Sequence, residues 1–412
     1  MQNVLSKFKT EFYMRVLNCG DNYFITGGSD SYMFALTELL ESHSHDVIPF
    51  APSHKNNRPT QWSEYFPDCV NKNDPKANDV LKYLYNNQAK KKLNKLLSNS
   101  KIDVAHLHIY YGSLTGSIFS EFENHSVPVV QSLHEYKLAC PVFTMVSNGK
   151  VCEDCQGHKF WRAIPKKCKH NSLGRSIVSV VESYITRWLG AEKKVDHFIA
   201  VSEFMKQKMQ QYDIGNNKIS TVHNFVDANK FIPSNKEGEY FFYFGRLEKL
   251  KGLFTLIDAC SELVDTKLII AGTGTDAGEI NQYIAGRKLS HIKMVGFQSG
   301  ENLQDLIKNS ICTILPSEWY ENCPMSVLES LAYAKPVVGA RIGGIPELIE
   351  NKVDGFLFEP GDSTQLKEIL SWLATNKKMA NKMGVKGREK IEKRFNRQEH
   401  YRKIIDVYNK VI

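Results

Sequence analysis

Residues 312–341 read CTILPSEWYENCPMSVLESLAYAKPVVGAR. CTILPS (312–317) is a short apolar run ending in Pro-Ser, the pattern of a buried parallel strand. SEWYEN then forms a loop at its carboxyl end. Pro324 suits the first turn of a helix over 324–334, where its missing N–H would be unpaired anyway. Val327, Leu328, Leu331 and Ala332 give that helix an apolar face, and PVVGAR (336–341) returns as a strand. Strand, loop, helix and strand in this order form the repeat unit of a parallel α/β sheet.

The alternation extends both ways. Upstream, MRVLNC (14–19), DVIPF (46–50), DVAHLH (103–108), PVVQSLH (128–134), HFIAVS (197–202) and ISTVHN (219–224) read as strands. Helices are predicted over 30–43, 79–98, 114–124, 174–190 and 203–212. Pro233-Ser-Asn-Lys-Glu-Gly238 is a polar linker of turn formers. A second series follows, with strands at 239–246, 266–272, 292–297 and the two already quoted, and helices at 252–264, 301–309 and 345–351. From Ser363 onward only helices are expected. The chain therefore divides into 1–232, 233–395 and a last helix, 396–412, that packs back on the first domain. A Cys-rich insertion occupies about 138–172 of the first domain.

The 412 residues leave ample core for two or three domains, and the composition is that of a globular protein. The formal charge of +8 favours an anionic partner: a nucleotide, a phosphate or a membrane surface. No run approaches the ~18 apolar residues that span a bilayer. MQNVLSKFKTEFYMRVLNCG lacks a signal-peptide core, so an intracellular protein is expected. Nine cysteines, an odd number, argue for thiols or a metal site rather than a disulfide framework.

In open α/β sheets, ligands gather beyond the carboxyl ends of strands, where helix N-termini present free N–H groups. The Glu321–Met325 loop should face such a crevice. Glu329 follows Glu321 by eight positions, roughly two helical turns. Each carboxylate can accept hydrogen bonds from a pair of vicinal hydroxyls, and a nucleotide sugar carries such pairs on its sugar and its ribose. Its diphosphate needs cations. Arg246, at a strand's carboxyl end, and Lys251, opening the next helix, can supply them and could replace a metal; the chain has no Asp-X-Asp triplet. Taken singly, each of these residues also reads as an ordinary surface charge.

GRLEKLKG (245–252) and ILPSEWYENCPMSVLESLAYAKPVVGARIGGIPELI (314–349) together resemble the retaining glycosyltransferases of family four. TGGSDSYMFALTELLESHSHDV (26–47), SLHEYKLACP (132–141) and IAVSEFMKQKM (199–209) extend the resemblance over most of the chain. It implies the GT-B fold, two Rossmann-like α/β domains facing each other across a cleft. It also implies transfer of a sugar from a UDP- or GDP-sugar to a saccharide or lipid-linked saccharide, in surface polysaccharide synthesis (O-antigen, capsule or exopolysaccharide). No cofactor is implied for catalysis. By the same resemblance Glu321 binds donor hydroxyls beside the reacting carbon, and the backbone N–H groups of Asn322, Cys323 and Met325 hold sugar and phosphate. Glu329 binds the ribose, Arg246 and Lys251 steady the leaving diphosphate, and His134 touches the donor sugar. Gly27 and Gly28 let the backbone approach phosphate and acceptor, where a Cβ would clash. Asn322 and Pro324 stand where many members have glycine, which would reshape the sugar pocket.

Cys140, Cys152, Cys155 and Cys168 have spacing compatible with a structural, non-catalytic zinc, with His158 and His170 as alternative ligands. The competing reading is a loop of reduced thiols. Lys166, Lys167, Lys169 and Arg175 precede an amphipathic stretch with Trp188, which reads as an ordinary domain helix or as a peripheral contact with an anionic membrane. Three rival functions remain. TKLIIAGTGTDAG lacks the glycine spacing of a dinucleotide fingerprint. A nucleotide-sugar epimerase would share the fold. A zinc-dependent nucleic-acid-binding or scaffold protein would gather its cations into one aromatic-laced stripe, and here they are dispersed, so no nucleic acid is expected.

Overall fold

The structure is a computed structural model describing residues 13–72 and 74–412. The first sheet holds β1 (Arg15–Cys19), β2 (Asp46–Phe50), β3 (Val104–Leu107) and β4 (Val129–Leu133). A two-stranded hairpin, β5 (Val146–Ser147) and β6 (Lys150–Val151), interrupts the series before β7 (His197–Ala200) and β8 (Ile219–Thr221) complete the sheet. Its order is β2-β1-β3-β4-β7-β8, and every pairing is parallel. The second sheet comprises β9 (Tyr240–Phe244), β10 (Lys267–Ala271), β11 (Ile292–Gly296), β12 (Ser310–Leu315), β13 (Val337–Ala340) and β14 (Gly355–Phe358). It too is wholly parallel, in the order β11-β10-β9-β12-β13-β14.

Both sheets are doubly wound, and each has one point where strand order reverses. In the second it lies between β9 and β12, whose carboxyl ends carry the two loops that the sequence marks, Gly245–Gly252 and Ser317–Met325. In the first it lies between β1 and β3, next to the turn that contains Gly27 and Gly28. Crevices at such reversals are where open α/β sheets bind ligands.

The eleven strands expected from sequence all form, within three residues of their predicted ends, and the chain after Ser363 is helical at 363–375, 377–394 and 397–411. Several features differ. The helix expected over 79–98 is two helices, Ala77–Leu84 and Asn87–Asn99, because the Asn86 side chain accepts from Ala89 N–H (3.1 Å) and starts a new one. β14, the β5–β6 hairpin and the helix Ala277–Gly286 are additional. Pro324 sits just before its helix, which runs Met325–Ala332.

The helix Arg397–Val411 lies against the first sheet, burying Tyr401, Ile404, Val407 and Tyr408 with Val16, Leu36, Val104 and Val130. Tyr408 OH bonds His106 Nδ1 (2.7 Å), and His400 Nε2 bonds Tyr32 OH (2.9 Å). One apolar core also runs through both halves: Tyr136, Val201 and Met205 share it with Cys323, Leu328, Ile345 and Phe395. Among the described residues, no helix is long and apolar enough to cross a membrane.

Candidate functional site

The loop after β9 turns on Gly252, whose φ of 70° is left-handed. A Cβ there would stand 1.8 Å from Pro316 O, so only glycine lets this loop touch the one after β12. The two are tied further by Glu318 N–H to Leu250 O (2.8 Å) and Thr255 Oγ1 to Glu318 Oε1 (2.6 Å). Lys251, one residue earlier, is thereby aimed at Glu321.

Glu321 Oε1 accepts from Lys251 Nζ at 2.6 Å, from Ser317 Oγ at 2.6 Å and from Trp319 Nε1 at 2.8 Å. All three donors converge on one oxygen, and Oε2 keeps no protein partner among the described residues. Burial opposes ionisation of Glu321, but the charge and hydrogen bond of Lys251, with Ser317 and Trp319, outweigh it and hold the carboxyl below its ordinary value. Lys251 also lies 4.9 Å from the Trp319 ring centre, and Arg246 lies 5.9 Å from it. Arg246 is exposed and pairs with Glu248 at 3.0 Å. The structure thus gathers Lys251, Glu321 and Arg246 around one indole, with Arg246 at the open side.

The backbone of Glu321 and Asn322 is backed by the turn after β13. Gly344 N–H donates to Glu321 O (2.7 Å), and a Cβ on Gly344 would stand 1.8 Å from Asn322 O. Glu329 is partly buried on the Met325–Ala332 helix, its side chain has no hydrogen-bond partner among the described residues, and burial raises its carboxyl to about 7. The Met325 side chain packs against the shared core, and Cys323 is buried in it.

Asn322 reaches the other half: its Nδ2 donates to His134 O at 2.6 Å. The position that departs from the family's usual glycine therefore closes the cleft. His134 Nε2 bonds His108 Nδ1 (3.0 Å), and His108 Nε2 bonds Asn18 Oδ1 (2.7 Å). Burial pulls His134 down to about 4, so it is neutral at neutral pH. Tyr32, one turn into the helix that opens at Gly28, packs edge-on to His134 at 5.0 Å. A Cβ on Gly27 or Gly28 would meet nothing of this chain within 4 Å. Among the described residues no protein neighbour requires glycine at either position.

At Glu135, the residue after His134, opens a cavity of about 650 Å³ lined also by Asp21, Lys72, Tyr111, Phe143 and Lys169 among others. Burial pushes Glu135 up to about 7 and Lys169 down to about 8. Sequence reasoning passed over Glu135, although it follows His134 directly. It also passed over Glu347, which accepts from Glu203 N–H and Phe204 N–H (2.7 Å each) and from His223 Nε2 (2.7 Å). Glu347 thus caps a helix of the other half. The sequence signal was IGGIPELI itself, whose acid follows two glycines.

Cys140, Cys152 and Cys168 come within electrostatic reach of Cys155. Yet no group of three or more His, Cys, Asp or Glu among the described residues is placed to hold a metal ion. Cys155 instead packs with Phe160, Ala163 and Val180, and Cys140 lies in the main core. Cys152 sits 3.7 Å from Lys166 Nζ and Cys168 3.7 Å from Ser147 Oγ. His158 packs on Phe160 and His170 lines the cavity. All nine cysteines are free.

The paired doubly wound sheets define the GT-B class. The crystal structure of Anabaena HepE in complex with UDP and glucose superposes with a TM-score of 0.65 at 17% identity, covering 96% of this chain and 100% of that one. The model for Glycosyltransferase Family 4 matches residues 26–230, and that for Glycosyl transferases group 1 matches 226–390. The chain belongs to the family-four glycosyltransferases. It is similar to an uncharacterized glycosyltransferase of Methanocaldococcus jannaschii, 28% identical over 218 residues (52% of this chain, 60% of the relative). It is also similar to the lipopolysaccharide 1,6-galactosyltransferase of Escherichia coli, 30% identical over 188 residues (43% and 52%). The matches span little more than half the length of these relatives.

Proposed function

We propose that the chain transfers a sugar from a nucleoside-diphosphate sugar to an acceptor hydroxyl, with retention, in the synthesis of a bacterial surface polysaccharide. The observation that carries this reading is the Lys251–Glu321 pair, with three donors on Oε1 and none on Oε2 among the described residues. That oxygen accepts from donor-sugar hydroxyls. Arg246 and Lys251 meet the diphosphate, Glu329 the ribose, and the N–H groups of Asn322, Cys323 and Met325 the sugar and phosphate. Gly27 and Gly28 leave room for phosphate and acceptor over a helix start, and neutral His134 offers a hydrogen bond rather than a charge.

In the reaction the bond from the anomeric carbon to the phosphate oxygen breaks and one to the acceptor oxygen forms on the same face. The acceptor's proton passes to the departing phosphate, so no protein nucleophile is needed. Preorganised cations at the developing charge supply most of the acceleration. The cavity at Glu135 holds the acceptor, a saccharide or lipid-linked saccharide. The similarity to a lipopolysaccharide galactosyltransferase supports the pathway, and the UDP complex of HepE supports a UDP-sugar over a GDP-sugar. With a lipid-linked acceptor the protein works as a peripheral protein on the cytoplasmic face of the plasma membrane.

A panel of UDP- and GDP-sugars tested by thermal shift decides the matter. One donor should stabilise the wild type, and Glu329→Ala should weaken that effect. Stabilisation by none, or equal stabilisation of the variant, would refute the assignment. The anomeric coupling constant of the product, read by NMR, tests retention.

A further inference from the structure

The helix Leu173–Trp188 is inside out. The residues it buries are mostly small or polar: Ser176, Ser179, Val180, Glu182, Ser183 and Thr186. Glu182 pairs with the buried Lys137 at 2.5 Å, and Lys137 also donates to Ser183 Oγ at 3.1 Å. The outward residues are large and apolar: Leu173 is 50% exposed, Ile177 40%, Val181 38%, Tyr184 38% and Trp188 85%. At ~100° per residue these five fall within an arc of about 80°, one continuous stripe along four turns. Trp161, 54% exposed, adjoins the stripe, its backbone N–H donating to Tyr184 OH (3.3 Å). A soluble helix arranged for water would carry the opposite faces.

The chemistry around the stripe points to what covers it. Lys159, Arg162, Lys166, Lys167, Lys169 and Arg175 occur between residues 159 and 175, a stretch without a single Asp or Glu. Lys166 pairs with Asp154 and Lys169 faces the cavity, but Arg162 lies 5.6 Å from the Trp161 ring centre, and aromatic side chains beside apolar ones with a cation at their edge match the boundary between lipid headgroups and acyl chains. The neighbouring flank of the same helix, at Gly174, Arg175 and Val178, lines the cavity that contains Glu135. We propose that the outer face of this helix docks on an anionic lipid bilayer, seating Leu173, Ile177, Val181, Tyr184 and Trp188 among the headgroups and holding the cavity at the lipid surface. The delivery of a lipid-linked acceptor to that cavity rests on the transfer reading; the docking face does not.

Co-sedimentation of the full chain with vesicles tests it. The wild type should pellet with phosphatidylglycerol vesicles, stay largely in solution with phosphatidylcholine vesicles, and be released by salt. Ile177→Asn with Trp188→Ala should weaken binding by at least about tenfold, because both lost side chains are among those that enter the interface. Stabilisation by UDP or GDP should be the same in that variant as in the wild type, which certifies its fold. If vesicle binding fails while nucleotide binding stands, the docking face is wrong and the donor reading survives; the reverse result spares the docking face. Brominated lipid should quench tryptophan emission, less so in Trp188→Phe. No pelleting with phosphatidylglycerol, equal pelleting of the double variant, or a dimer that this variant dissociates without any vesicle binding would overturn the proposal, the last by making the stripe a contact between proteins.

Discussion

Lys251→Ala would leave the buried Glu321 carboxylate with only neutral donors. Breaking a buried pair from one side costs about 3 kcal/mol, so urea unfolding should register a loss of that order alongside the loss of donor binding. Lys251→Ala with Glu321→Gln should recover part of the stability and none of the activity. Glu329 makes a different prediction. Its folded carboxyl titrates near 7, against about 4.3 for an ordinary glutamate. Between those values the folded state holds a proton that the unfolded chain has released, so stability falls as pH rises through the window. Donor binding should move the opposite way, tightening as pH climbs through 7, because only the carboxylate accepts from both ribose hydroxyls. Glu329→Gln should flatten the binding profile. The stability slope would persist in part, since Glu135 titrates in the same range. That Glu321, Arg246 and Lys251 fall in loops at two strand ends, with Glu329 on the helix that follows, was legible from spacing. That Lys251 and Glu321 bond each other was not, because seventy residues separate them and only the folded sheet brings β9 beside β12.

The loops that carry these residues depend on close backbone approach. Gly252→Ala would put a methyl group 1.8 Å from Pro316 O at a positive φ, and relaxing that strain must move either Lys251 or the β12 loop. A loss of about 2–4 kcal/mol in denaturant unfolding, with donor affinity falling further than stability explains, is the expected outcome. Wild-type affinity in that variant would mean that the loop tolerates the shift. Strands were readable here because parallel strands buried on both faces are short apolar runs, as YFFYF and SICTIL show. β14 escaped because Gly355–Phe358 is only four residues long and follows a polar turn. The helix Ala277–Gly286 escaped because its buried side chains are just Ile280 and Ile284, too few to set a period. The cysteine spacing is compatible with zinc, but spacing alone could not show that Cys155 packs against Phe160 and Val180.

Across the molecule the two halves are joined by specific groups. Glu347 of the second half caps the helix Glu203–Gln211 of the first, Tyr320 OH donates to Glu153 (2.6 Å), and Asn224 Nδ2 donates to Cys323 O (2.9 Å). Glu347→Ala removes three acceptor contacts and should shift the balance toward an open cleft. Small-angle scattering would register a larger radius of gyration and steady-state kinetics a raised KM; an unchanged radius would show that the core alone sets the angle. Tyr408→Phe breaks the bond to buried His106 and should cost about 1 kcal/mol, visible as a lower Tm. None of these ties could be read from sequence, since each links residues far apart in the chain. The two wound sheets themselves were plain from the alternation of strands and helices.

The shared core around Cys323 has a consequence for engineering. A chimera that joined residues 1–232 of this chain to the donor half of a relative would inherit a mismatched seam, because Tyr136, Val201 and Met205 pack against side chains from beyond the junction. Grafting a new donor preference by exchanging halves therefore requires carrying Asn224, Glu203 and the terminal helix in register with their partners. Where that co-transfer is neglected, the hybrid should aggregate rather than simply change its sugar.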